Sequence, residues 1–101
     1  MTLLVVAAEA TSDTTTIIDY LERNAGAAVA SEYGQRFVQT TERIVDMPLS
    51  GSPRPALGDR VRIGVVAPYV LVYEYDAVRD EVTLLRVLHG RRNVSRLLTR
   101  R

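Results

Sequence analysis

Apolar positions change period twice along this chain, and those changes divide it into elements. Leu3 to Ala7 is an unbroken apolar run, which predicts a short strand buried or flanked on both faces. After it, Ile17, Ile18 and Leu21 form an apolar stripe at helical spacing, with Asp19 and Glu22 on the wet side. Thr11 or Ser12 is the expected cap of this helix, and Asp13 suits its first turn. Asn24-Ala25-Gly26 ends it, glycine being the natural residue for a left-handed helix terminus. A second helix follows from about Ala27 to Asp46, with Ala30, Tyr33, Phe37, Thr41 and Ile44 turned inward. So short a link makes the two helices an antiparallel hairpin.

Between Met47 and Gly58 stand Pro48, Gly51, Ser52, Pro53, Pro55 and Gly58, which predicts a loop ordered only where neighbours tie it down. Beyond it the period becomes two. Val61 to Val66 alternates, Ala67-Pro68 turns the chain, and Tyr69 to Asp76 sets Tyr69, Leu71, Tyr73 and Tyr75 against Val70, Val72 and Glu74. Ala77 to Asp80 is a polar turn, and Glu81 to His89 is a third strand rich in Val, Leu and Thr. The fold class predicted is α+β in the order β-α-α-β-β-β. A helical hairpin packs on a mainly antiparallel four-stranded sheet, within one domain spanning residues 1–101.

Composition excludes more than it assigns. No cysteine is present, so disulfides and thiolate metal sites are ruled out, and a lone histidine argues against zinc. No metal or other cofactor is expected. The first apolar run is far shorter than a bilayer span and carries no basic leader, so the expected location is cytoplasmic, with no membrane partner. All 13 basic residues are arginine, a bias that a GC-rich genome explains. The distribution says more than the net charge of +1. From Arg86 to Arg101 lie Arg86, Arg91, Arg92, Arg96, Arg100 and Arg101 with no acid, so residues 90–101 form a basic C-terminal segment suited to an acidic or phosphate-rich partner. A solvated tail is the plainer alternative. Val94, Leu97 and Leu98 at helical spacing favour a docked helix there.

Other clusters have plain readings. The Tyr69, Tyr73 and Tyr75 row resembles a base-stacking platform, but alternate residues of a central strand facing a helical hairpin are packing residues. Glu74, Asp76, Asp80 and Glu81 gather near one turn without the spacing of any cation loop. Pro53-Arg54-Pro55 is too short for a proline-rich ligand. There is no Gly-rich phosphate loop and no nucleophile elbow.

Five local signatures occur in order: Ala10-x-x-Asp13 with Ile17-Ile18-Asp19-Tyr20-Leu21; Ile44-x-x-Met47-Pro48-x-x-Gly51-Ser52-Pro53-Arg54-Pro55; Arg60-Val61-Arg62; Pro68-Tyr69-Val70-Leu71-Val72-Tyr73; and Val87-Leu88-His89-Gly90-Arg91-Arg92-Asn93. With them, from about Leu3 to Leu98, the chain resembles the RelE/ParE toxin superfamily of type II toxin–antitoxin systems. That superfamily places two activities on one fold. RelE-like members cut messenger RNA on the ribosome, whereas ParE-like members poison DNA gyrase by binding. Matched to the RelE pattern, Arg62 and Arg92 keep two cationic positions, Gly64 and Val70 replace two others, and the C-terminal tyrosine position falls near Leu98. The resemblance therefore implies the ParE-like branch: a non-catalytic inhibitor of DNA gyrase that grips its target through Arg60, Arg62, His89, Arg91, Arg92 and Arg96.

It implies a cognate antitoxin of the ParD type, with a DNA-binding N-terminal half and an amphipathic segment. That segment would fold over Ile17, Tyr20 and Leu21 and pair acids with Arg91, in a toxin–antitoxin hetero-oligomer. The toxin alone is not expected to read DNA sequence. The competing reading is a ribosome-dependent endoribonuclease using His89, Arg92 and Arg62, since a histidine suits acid–base work near neutral pH. Ala7-Ala8-Glu9-Ala10 stands where the family has a basic turn, which keeps open a third reading, a binding module without toxicity.

Overall fold

The computed structural model describes residues 1–90. Leu3–Val6 (β1) passes through one extended residue, Ala7, straight into Ala8–Ala25 (α1). That helix begins three residues before the expected cap. The Ala7 carbonyl accepts the Ala10 and Thr11 amides, and no side chain caps the end. Gly26, at φ 96°, ends α1 as anticipated, and Ala27–Asp46 (α2) follows at once. Thr40 rather than Thr41 is buried on α2, and Thr41 turns its hydroxyl back to the Phe37 carbonyl one turn earlier.

Among the described residues the sheet has five strands, not four. The extra one is Ser52–Pro53 (β2), a two-residue strand from the predicted loop that pairs with Val61–Val66 (β3). Pro53 lies on the sheet edge, where a missing N–H costs nothing. Tyr69–Asp76 (β4) and Glu81–His89 (β5) complete the order β1-β5-β4-β3-β2, with β1 parallel to β5 and every other pair antiparallel. β1 is therefore an edge, and Leu3, Leu4, Val5 and Val6 are all exposed, which corrects the expectation of a strand covered on both faces.

The tyrosine side of β4 faces the helices. Tyr69, Leu71 and Tyr73 join Ala10, Leu21, Ala30, Phe37 and Ile44 in the main core. Val70 and Val72, with Val61, Ile63 and Leu88, form a second cluster on the opposite face, partly covered by Leu57 of the loop. A register shift at Val72/Tyr73 leaves Leu85 as an extra residue in β5. That shift turns Val87, three residues after Leu84, into the same core as Leu84.

Candidate functional site

Two ends of the sheet carry the predicted site residues. At one end, Arg60 pairs with Asp76 at 3.2 Å. Arg62 is half-buried, and its Nη1 donates to the carbonyls of Leu49 at 3.0 Å and Gly51 at 2.8 Å. The Tyr73 hydroxyl, on a fully buried side chain, donates to the Pro48 carbonyl at 2.7 Å and accepts the Gly51 amide at 2.9 Å. Arg62 and Tyr73 thus clamp the Pro48–Gly51 turn from the helix-facing side of the sheet. Leu49, Arg60, Arg62, Asp76 and Val78 line a cleft of about 290 Å³ there. Hydrogen bonds from the Arg79 and Val78 amides, with the nearby Arg60 and Arg79 charges, hold the Asp76 carboxyl below its usual range.

Gly64, two residues along from Arg62, lies beneath α2. A Cβ there would stand 3.2 Å from Ile44 Cδ1 and 3.4 Å from Thr40 Cγ2, so a long cationic side chain has no room. Val70 is buried in the second cluster.

At the other end, His89 is exposed and meets the Tyr69 ring edge-on at 5.5 Å. Tyr69 meets Tyr33 and Phe37, each at 5.7 Å. Burial, then the nearby Tyr33 and Tyr20 phenols, push the Tyr69 hydroxyl above its ordinary pKa, so hydroxyls from α1, α2 and β4 converge here. His89 is offset from Arg62 along the sheet, since His89 pairs with Tyr69 while Arg62 pairs with Tyr73, four residues further along β4. Arg91, Arg92 and Arg96, and the predicted docked helix with them, lie outside the described residues.

Of the residues expected at the antitoxin contact, Tyr20 is 56% exposed, Ile17 is half-buried and Leu21, 9% exposed, belongs to the core. Sequence reasoning missed the open groove beside them, about 570 Å³, walled by Ile18 and Glu22 of α1 and by Ala30, Gly34 and Val38 of α2. Its sequence signal is the run of small residues on α2, Ala27, Ala30, Ser31 and Gly34, which lets the helices meet without filling the surface. Among the described residues there is no cluster of side chains suited to a metal ion, and no helix is long and apolar enough to cross a membrane.

The model of the ParE toxin of type II toxin–antitoxin systems, parDE, matches residues 4–94. The chain belongs to the ParE toxin family. Solved structures share its fold. A chain of the chromosomal ParDE toxin–antitoxin system from P. aeruginosa superposes with a TM-score of 0.74 at 21% identity, covering 89% of this chain and 97% of that one. The isolated E. coli RelE toxin superposes at 0.57 with 16% identity over 99% and 98% of the two chains. The intact E. coli RelBE toxin–antitoxin complex gives 0.50 at 16% identity over 89% and 98%. No curated protein sequence matches this ParE family chain.

Proposed function

We propose that this ParE family toxin inhibits DNA gyrase by binding, in the cytoplasm, without catalysing a reaction, and that a cognate antitoxin neutralises it. The observation that carries the non-catalytic reading is the state of the strand cations. Arg62 is committed to the Leu49 and Gly51 carbonyls, and α2 occupies the space above Gly64. Cleavage of RNA needs preorganised cations around the crowded phosphate and an acid–base group beside the 2′-hydroxyl. His89 would supply the latter, but its partner Tyr69 lies four residues along β4 from Tyr73, the partner of Arg62.

The open groove between α1 and α2 supports an antitoxin whose amphipathic segment folds onto the helical hairpin in a hetero-oligomer. Its acids would pair with Arg91, and a ParD-like partner would carry the DNA-binding half. The neighbouring ParDE and RelBE systems are toxin–antitoxin assemblies by their own description, which favours such a partner.

The test is induction of the toxin without antitoxin, with DNA and protein synthesis pulse-labelled separately. Early arrest of DNA synthesis with continuing translation is the expected result. Early arrest of translation, abolished by His89→Ala, would overturn it in favour of the ribonuclease. No arrest of either would leave a binding module.

A further inference from the structure

Three surface features lie outside the packed core: the bare β1 edge, the hairpin groove, and the aromatic end around His89. The first two are apolar and suit an antitoxin. The third differs in composition. Tyr20 is exposed on α1, Tyr33 and Arg36 are half-buried on α2, and His89 is exposed at the end of β5.

Arg36 lies over the Tyr33 ring at 5.0 Å and does not pair with Glu32 one turn earlier. Neither Arg36 nor His89 has an ion pair or hydrogen bond to another described residue. The Tyr33 hydroxyl makes one long bond, donated to the Ala67 carbonyl at 3.4 Å. Beneath them Tyr69 meets Tyr33, Phe37 and His89 edge to face, and Tyr33 meets Phe37 at a tilt. Tyrosine and arginine on a packed aromatic base are the residues that dominate protein interfaces. In the sequence, Arg91 and Arg92 directly follow Gly90.

We infer that Tyr20, Tyr33, Arg36 and His89 form the surface that grips the toxin's target, and that its occupant is an acidic segment of that target protein. This rests on the reading of the chain as a target-binding toxin.

The experiment compares wild type, Arg36→Gln, Arg36→Glu and the double variant Arg36→Glu/His89→Glu. Three readouts are taken: inhibition of gyrase supercoiling, growth arrest on induction, and circular dichroism of the purified toxin. With spectra unchanged, the glutamate variants should lose at least tenfold in inhibition, and Arg36→Glu should be several-fold worse than Arg36→Gln. Full inhibition and full growth arrest by the double variant would overturn the surface. Equal loss in Arg36→Gln and Arg36→Glu would overturn the acidic occupant. If wild type arrests growth without inhibiting gyrase, the gyrase reading falls, and growth arrest by the variants decides the surface. A wild type inert in both assays overturns both ideas.

Discussion

Asp13 on α1 holds Arg86 of β5 in a bidentate pair, with Arg86 Nε donating at 2.7 Å and Nη2 at 3.0 Å. The same carboxylate accepts the Val87 amide at 3.0 Å. β1 has ended by then, its last pairing being Val6 with Leu84, so Asp13 stands in for the missing neighbour strand. The pairing pushes the Arg86 pKa further up. Because one helical carboxylate both closes the sheet edge and fixes α1 to β5, its loss strands an arginine and a backbone donor together. Asp13→Ala should cost about 2 kcal/mol, since hydrogen bonds to charged groups are worth more than neutral ones. Urea denaturation of Asp13→Ala, Arg86→Ala and the double variant should show a coupling of about 1–2 kcal/mol. Additive single effects would refute the pairing.

Gly51 and Tyr73 depend on each other in a different way. A Cβ on Gly51 would fall 2.5 Å from the Tyr73 hydroxyl oxygen and 2.7 Å from the Ile63 carbonyl oxygen. Gly51→Ala therefore must displace either β3 or the phenol, at about 1–3 kcal/mol. Tyr73→Phe keeps the ring but leaves the Gly51 amide and the Pro48 carbonyl without this partner, at about 1–3 kcal/mol. Both variants should raise hydrogen exchange of the Gly51 amide before that of the β4–β5 ladder. Uniform acceleration across the sheet would mean that the turn is not an independent unit.

Periodicity made the helices, the three long strands and the tyrosine face legible, because each pattern repeats several times along its element. The hidden parts are set by neighbours. The β5 bulge cannot be read from its own alternation, since the register is decided by β4 opposite. β2 is two residues long, too short to show any period. β1 looked like an interior strand because it is wholly apolar, yet it lies on the edge. At the candidate site, Arg62 was visible as a charge, but its commitment to Leu49 and Gly51 depends on a turn brought in from 11 to 13 residues away. Asp13 reads in the sequence as a helix-start acid, whereas its partner Arg86 is 73 positions distant.

Acid should loosen the N-terminus and the β4–β5 turn first. Asp80 accepts hydroxyls from Tyr75 and Thr2, each at 2.8 Å, and these bonds together with the N-terminal amine hold its carboxyl below the usual range. Asp76 is lowered as well, first by the Arg79 amide. With folded pKa values depressed, both contributions are complete above the unfolded carboxylate value of about 4 and are lost as pH falls through the folded values. The thermal midpoint should therefore drop from about pH 4 downward, and less steeply in Asp80→Asn. An identical acid limb in that variant would remove Asp80 from the account.

Gly34 separates stability from partner binding. It lies inside α2, where glycine is less favourable than alanine by about 1 kcal/mol, and a Cβ there meets nothing closer than Ile18 Cδ1 at 3.9 Å. Gly34→Ala should thus raise stability by about 0.5–1 kcal/mol. The added methyl projects into the groove shared by Ile18 and Val38, the surface proposed above for the antitoxin. If that groove seats an antitoxin helix, Gly34→Ala should weaken antitoxin binding in calorimetry while the toxin itself melts higher. A larger residue, as in Gly34→Leu, should weaken it further. Opposite signs in the two measurements exclude misfolding as the cause of lost affinity. Unchanged affinity in both variants would move the antitoxin off the hairpin and leave the bare β1 edge as its place.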